Sequence, residues 1–252
     1  MKSSTRQSLM YDYIKKHKEV SVNHIAKYFN ISPATVRRYL DKLEKNGLIC
    51  RKYGKAIVSD FSKEELSFQS RSLRNQEYKH RIARLTQPYL KSVSSIFVDA
   101  STTTLEALKL LPKSQTLTIY TSNSAIFHYL QDYPNVHLFV LGGYLSKTDG
   151  VSLDSEITLN IARQIYVDSA FISCSGFTHE GFFETATTGI EVKRVMLQNS
   201  SHNYLLADHT KFNMTGVFQV DDWDPIHTLI CDSSFDPKAE HLLKSKGISV
   251  IY

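Results

Sequence analysis

Ser32-Pro33-Ala34-Thr35-Val36-Arg37-Arg38-Tyr39-Leu40, followed by Lys42-Leu43-Glu44 and Asn46-Gly47, reads as one helix with marked ends. Ser32 offers an oxygen to the free N–H groups of the first turn, and Pro33 suits the first helical position, where a missing donor costs nothing. Gly47 is expected to stop the helix, because a residue comfortable at positive φ closes such an end cheaply. Val36, Leu40 and Leu43 fall on one face, and Thr35, Arg38 and Lys42 fall opposite. A short helix with an apolar back and a Thr/Arg/Lys front fits the major groove of DNA. Arg pairs with guanine edges, Thr with bases or phosphates, and the apolar back fixes the angle of entry.

Upstream, Arg6 to His17 carries Leu9, Met10, Tyr13 and Ile14 at helical spacing, and Ser21 to Phe29 buries Val22, Ile25, Ala26 and Phe29. Only Asn30 and Ile31 separate this second helix from Ser32, which makes a helix-turn-helix. Downstream, Leu48 to Arg51 and Ala56 to Val58 read as strands around Lys52-Tyr53-Gly54-Lys55, a hairpin wing with a basic tip. Residues 1–60 hold 13 Lys and Arg against 5 Asp and Glu, a net of +8, whereas the whole chain holds 30 against 25. The remainder is therefore 17 against 20, a net of −3. Positive charge confined to the first quarter supplies phosphate contacts and counterion release. The plainer alternative is a small helical domain whose Arg and Lys only solvate its surface. The expected DNA contacts are Ser32, Ala34, Thr35, Arg37, Arg38 and Lys42 on the helix, with Arg51, Lys52 and Lys55 in the wing.

A chain of 252 residues exceeds one small DNA-binding module, and two domains are the natural division. The start, Met1 to Gln7, is polar and runs into a helix, so no secretory leader is expected. No apolar run approaches the ~20 residues of a membrane span. Cys50, Cys174 and Cys231 are scattered and lack CxxC spacing, which fits a reducing cytoplasm rather than a disulfide framework or zinc site. The histidines show no ligand spacing, so no metal is expected.

Residues 1–59 form the expected winged helix-turn-helix, 60–76 a polar linker and 77–252 a second domain. In that domain short apolar runs alternate with helical patterns, beginning with a helix from Glu77 to Leu90, and imply a largely parallel sheet covered on both faces. In such sheets ligands bind beyond the carboxyl ends of the strands. Those ends offer Asp99 with Ser101, Thr102, Thr103 and Thr104, then Thr121 and Asn123, Gly142 and Gly143, Ser173 to Gly176, and Asp208 to Lys211. Ser101 to Thr104 sit where a strand passes into a helix, an anion cradle of hydroxyls and free N–H groups. Thr121 and Asn123 face the hydroxyls of a small polar ligand, and Gly142-Gly143 let the backbone come close to it. Ser, Thr and Asn at such places also cap helices and shape turns without binding anything. No P-loop and no GxGxxG fingerprint is present, so no nucleotide cofactor is expected. Glu184, Glu191, Lys193, Asp208 and Lys211 would equip a sugar-phosphate isomerase with an N-terminal DNA-binding appendage. Glu191 and Lys193 equally fit the solvated side of a helix. A third option is a module whose sheet edge binds only other subunits.

Across its length the chain resembles bacterial regulators of the DeoR type. The resemblance is carried by Val20 to Leu40, Leu43 to Gly54, Arg71, Asn75, Lys79 with Ile82-Ala83, Asp99 with Ser101 to Thr104, and Thr121 to Asn123. Leu141 to Gly143, Glu191 to Lys193, and Asp208 with Lys211 complete it. It implies a winged helix-turn-helix followed by a Rossmann-like α/β sensor domain similar in fold to ribose-5-phosphate isomerase. The implied protein is cytoplasmic and no enzyme. It is a homo-oligomeric repressor of carbohydrate or nucleoside metabolism genes that binds an operator and a phosphorylated sugar effector. Matched residue by residue, the phosphate cradle falls on Ser101 to Thr104, and Asp99, Thr121, Asn123, Lys193 and Lys211 face the sugar. Three positions depart from the family pattern. Tyr39 stands where an acid is usual, and Lys55 adds charge at the wing tip, both bearing on operator preference. Ala100 or Ser101 replaces a glycine of the phosphate loop, which bears on the ligand.

Overall fold

Pro33–Lys45 forms a helix in a unit that has four helices and three strands among its described residues. The computed structural model describes residues 3–45, 48–52, 54–58 and 67–252. The chain divides into two units, Met1–Gln76 and Glu77–Tyr252. In the first, α1 (Ser3–His17), β1 (Glu19–Ser21), α2 (Val22–Phe29) and α3 (Pro33–Lys45) precede β2 (Ile49–Lys52), β3 (Lys55–Val58) and α4 (Phe68–Leu73). Ser21 caps α2 by accepting the His24 N–H at 3.2 Å, and Asn30 closes it in the left-handed region at φ 50°. Ser32 then accepts the Thr35 N–H at 3.1 Å and opens α3. The wing is an antiparallel sheet of order β1-β3-β2, in which Ala56 faces Val20, and Cys50 faces Ile57. β1 has three residues and no periodicity to betray it. Gly47, Tyr53 and the linker residues 59–66 lie outside the described residues, and of Lys52 only the backbone is described.

The core of this unit comprises Met10, Ile14, Ile25, Val36, Leu40, Leu43, Leu48, Ile49 and Ala56, among others. Leu73 of α4 joins it, so the end of the segment read as a linker packs with the N-terminal unit. Each buried Leu, Ile or Val contributes about 1.5–3 kcal/mol, more than any surface ion pair here.

The second unit opens with α5 (Gln76–Lys91), which continues through Pro88 to Lys91. Then follow β4 (Ser95–Val98), α6 (Thr102–Leu108), β5 (Leu117–Thr121), α7 (Ser124–Leu130), β6 (Val136–Val140), α8 (Glu156–Ala162) and β7 (Val167–Ile172). β8 (Gly176–Phe177), β9 (Phe182–Glu184), α9 (Ile190–Gln198), β10 (Ser200–Leu206) and a single 3-10 turn (His209–Lys211) come next. β11 (Phe218–Asp221), β12 (Thr228–Ile230), α10 (Pro237–Ser245) and β13 (Ser249–Ile251) complete it.

Seven strands lie in the order β13-β12-β10-β7-β4-β5-β6, every adjacent pair parallel. The chain begins in the middle at β4, moves outward through β5 and β6, and returns to β7 on the other side of β4. The order therefore reverses between β4 and β7, and it is beyond the carboxyl ends at such a switch point that sheets of this kind take ligands. A small antiparallel sheet of order β11-β9-β8 was not legible in the sequence. It carries Glu184. Apolar clusters around Trp223, Phe177 and Phe182, and around Phe97, Ala170 and Met196, fix the sheet between its helices.

Candidate functional site

Along α3 the buried residues Val36, Tyr39, Leu40 and Leu43 form the back. Ala34, Arg37, Arg38, Asp41 and Lys42 are exposed, and Thr35 sits half-buried at the margin. Arg37 and Lys42 make no ion pair among the described residues. Their charge is available to phosphate or base edges. Ser32 uses its hydroxyl on Thr35, both as cap and through Thr35 Oγ1 at 2.9 Å, so these two side chains hold each other.

Three of the singled-out residues meet partners within this unit. Arg51, read as a DNA contact, reaches instead to Asp41 at 2.7 Å and Glu44 at 2.6 Å on α3. Its own backbone N–H also donates to Glu44, at 3.0 Å. The Arg51 hydrogen bonds hold the Glu44 carboxyl below the usual glutamate range. This is a clamp between wing and helix. Lys55 is exposed but pairs with Glu19 of β1 at 2.8 Å. Tyr39 is 6% exposed and packs in the core, with the Arg38 guanidinium 5.8 Å from its ring centroid, so its departure from the family pattern bears on the reading face through Arg38 and not by direct exposure.

At the carboxyl edge of the large sheet, Asp99 is the hub. It follows β4 and is 1% exposed. Its Oδ1 accepts the Ser101 N–H at 3.2 Å and the Thr104 hydroxyl at 3.0 Å. Its Oδ2 accepts the Ser173 N–H at 3.0 Å, across the switch point, and faces Lys193 Nζ at 3.1 Å. Lys193, from α9, also donates to the Ser173 carbonyl at 2.7 Å and to Glu184. Glu184 in turn accepts the Ser175 hydroxyl. Burial alone would push the Lys193 ammonium down, but the Glu184 and Asp99 carboxylates outweigh it and hold it above the usual lysine range. Four acceptor positions on Asp99 and three ammonium protons on Lys193 are thus committed within the protein. Both were expected to face the sugar; both instead tie β4, β7, β9 and α9 together. Beside them, burial pushes the Cys174 thiol up to about 12, so no thiolate forms at neutral pH.

The hydroxyls divide in the same way. Ser101 Oγ accepts the Thr104 N–H at 3.1 Å and lies 2.7 Å from Thr104 Oγ1, so this pair serves as the cap of α6. Thr121 Oγ1 donates to the Val98 carbonyl at 2.7 Å and accepts the Asn123 N–H at 3.0 Å. Thr102 and Thr103 are buried, and their hydroxyls bond no described residue. Their first-turn N–H groups have no partner within the helix. Lys211 donates to Ser173 Oγ at 3.2 Å and to the Cys174 carbonyl at 2.6 Å, which leaves one ammonium proton.

Asn123 is 0% exposed. Its Oδ1 caps α7 through the Ala125 N–H at 2.9 Å, and its Nδ2 is buried with no hydrogen-bond partner. A native protein rarely leaves a buried donor unpaired without a function for it. The loop from Tyr144 to Asp154 is bonded to the backbone on both sides of Asn123. Leu153 N–H donates to the Ser122 carbonyl at 2.7 Å, Ser124 N–H to the Val151 carbonyl at 3.0 Å, and Asn123 bridges Ser152. Asp149 folds the loop by accepting the N–H groups of Val151 and Ser152 at 3.1 and 3.0 Å. No sequence signal marked Asp149. The loop is launched by Gly142 and Gly143, at φ 71° and 111°. A Cβ on Gly143 would lie 2.1 Å from Thr158 Oγ1, so this glycine serves the seating of the loop on α8.

Asp208 lies beyond β10. Burial pushes its carboxyl up, but Lys211, the Thr210 hydroxyl, Lys79 and His209 together draw it below the ordinary aspartate value. Among the described residues no cluster of His, Cys, Asp and Glu is fit to hold a metal, and no helix is long and apolar enough to cross a membrane.

Comparison with known proteins assigns both units to one family. A helix-turn-helix bearing the description "DeoR-like helix-turn-helix domain" matches residues 6–61, and the "DeoR C terminal sensor domain" matches residues 74–233. The transcriptional regulator GolR of Listeria innocua is 27% identical over 97% of this chain and 96% of its own. The glycerol-3-phosphate regulon repressor of Escherichia coli is 29% identical over 88% of this chain and 90% of its own. Ribose-5-phosphate isomerase A of Methanocaldococcus jannaschii aligns with 55% of each chain at 15% identity and a TM-score of 0.39, too distant to carry an argument. With the sensor match alone spanning more than half its length, the chain belongs to the DeoR family of transcriptional regulators.

Proposed function

We propose that this regulator represses genes of carbohydrate or nucleoside metabolism and is controlled by a phosphorylated sugar or polyol bound at the switch-point crevice. Ser32, Ala34, Thr35, Arg37, Arg38 and Lys42 form its reading face on operator DNA, with Lys52 and Lys55 on the flanking backbone. Arg51 holds the wing against α3. Two copies on two half-sites would double the contact, which favours a homo-oligomer.

The observation that carries the effector reading is the sorting of hydrogen-bond capacity at the crevice. Donors predominate among the groups with capacity to spare: Asn123 Nδ2, the Thr102 and Thr103 N–H groups, and the last proton of Lys211. Asp208 Oδ2, a carboxylate oxygen there that accepts no hydrogen bond among the described residues, belongs to a group answered electrostatically by Lys211, Lys79 and His209. Such a set calls for a ligand rich in acceptors, and a phosphate ester of a polyol presents a dianion with hydroxyl oxygens beside it. The E. coli relative named for the glycerol-3-phosphate regulon is consistent with that chemistry.

Thermal-shift measurements on the full chain, with sugar and polyol phosphates set against the parent sugars, test the reading. Stabilisation by a phosphorylated compound alone, with a matching change in affinity for DNA from the gene's own upstream region, supports it. Equal stabilisation by the parent sugar, or none by any phosphate ester, sinks it.

A further inference from the structure

α5 opens the sensor unit, and its buried stripe is Lys79, Ile82, Ala83, Thr86 and Leu90. One charge therefore sits in an otherwise uncharged packing face, at 4% exposure. A buried ammonium is costly unless an opposite charge meets it. One charge acting with it is Asp208, which Lys79, Lys211 and His209 all influence. The preceding residue points the same way, since the Tyr78 ring meets the His209 ring edge-on at 4.8 Å. His209 is itself fixed, its N–H donating to Asp232 at 2.8 Å and its Nδ1 lying 2.9 Å from the second carboxylate oxygen. Two successive residues of the first turn of α5 thus grip the 208–211 segment. That segment carries Lys211, which reaches the end of β7 at Ser173 and Cys174.

The same first turn stands at the junction of the two units. Only Arg74 and Asn75 separate α4 from α5. Asn75 holds the left-handed conformation at φ 52°, a position its surroundings must impose, and its Oδ1 accepts a hydrogen bond from Lys15 Nζ at 3.2 Å. We propose that Lys79 and Tyr78 are positioning residues that couple the Asp208–Lys211 segment of the ligand edge to the Arg74–Asn75 junction. A ligand drawing on Lys211 then alters the restraint on the first turn of α5. The role in signalling rests on the effector reading above, but the tie itself does not.

Hydrogen exchange on the full chain, with no ligand added, tests the tie. Exchange at residues 80–83 reports closure of the first turn, and exchange at 86–91 reports the rest of the helix. Asp208→Asn and Lys79→Met should each accelerate residues 80–83 by about tenfold or more, with residues 86–91 within about twofold of wild type. Lys79→Arg, which keeps the charge, should restore slow exchange. Asn123→Ala, at the same sheet edge but off this path, should leave residues 80–83 unchanged. The proposal is overturned if Asp208→Asn affects only residues 207–212, or if the whole of α5 loosens equally. Failure of Lys79→Arg to rescue, or an equal response to Asn123→Ala, overturns it as well. Because no sugar phosphate enters the experiment, its failure is distinct from failure of the effector reading.

Discussion

Replacing Lys193 with Met removes the cation shared by one buried carboxylate, Asp99, and one partly buried, Glu184. Asp99 and Glu184 stay in place, with side chains 1% and 15% exposed, and lose the ammonium at 3.1 Å and at direct contact. Breaking a buried pair from one side costs about 3–5 kcal/mol, because the remaining charge is stranded. For a unit of ~150–250 residues each kcal/mol lowers Tm by roughly 2–4 °C, so the sensor unit should melt roughly 6–20 °C earlier. The chain holds a single tryptophan, Trp223, buried in the sensor unit, so its fluorescence follows that unit alone. The pH dependence adds a second signature. The folded-state pKa of Lys193 is raised, so its contribution is complete below the unfolded lysine value of ~10.4 and fades only as pH rises through the folded value. Wild type should therefore show no loss from this group between about pH 5 and 9. In the variant, protonating one stranded carboxylate relieves the repulsion, so the deficit should be larger at pH 8 than at pH 5. Lys193→Met/Glu184→Gln should recover part of the loss. A deficit under about 1 kcal/mol, flat with pH and untouched by Glu184→Gln, would refute the assignment of Lys193 as the charge hub.

Asn123→Ala removes the α7 cap, at about 0.5–2 kcal/mol, and also an unpaired buried donor costing about 1–3 kcal/mol. The net change in stability should thus run from a loss of no more than about 1 kcal/mol to a gain of about 2 kcal/mol or more, while stabilisation by a sugar phosphate disappears; a retained ligand shift removes Asn123 from the site. Arg51→Met should cost about 1 kcal/mol or less in stability, since its ion pairs are partly exposed, yet weaken DNA binding by freeing the wing. Anisotropy unchanged from wild type would show the clamp to be idle. Arg38→Ala should cost ~1–3 kcal/mol at a cognate operator and relax base preference, whereas Lys42→Ala should weaken all sequences evenly and lower the salt slope by about 1. Gly143→Ala, which forces a Cβ to 2.1 Å from Thr158 Oγ1, should lower Tm more than Gly142→Ala, where the Cβ meets open space.

Much of the fold was legible because its signals are local. The Ser32 cap, the two-residue turn at Asn30-Ile31 and the alternation of strands with helices each follow from neighbouring residue types. β1, β8 and β9 escaped because two or three residues carry no period. The site was legible as a set of residue types but not as a set of hydrogen bonds. Asp99, Ser101, Thr104, Thr121 and Lys193 are at the expected edge, yet their donors and acceptors are spent on one another. Which valences remain depends on residues far apart in the chain, such as Ser173 against Asp99. Arg51 teaches the same lesson: a basic wing residue looks like a phosphate contact until Asp41 and Glu44 are seen beside it.

The loop from Tyr144 to Asp154 would set a clock for the proposed effector. It is held on both sides of Asn123 through two backbone hydrogen bonds from Ser124 and Leu153, and Asp154 fastens its far end by accepting the Gly189 N–H at 2.9 Å. If the proposed effector draws on Asn123, it must enter while this loop is lifted, and its arrival and departure would both wait on the opening rather than on free diffusion. A sensor of that kind would average over brief surges of metabolite and report the sustained level.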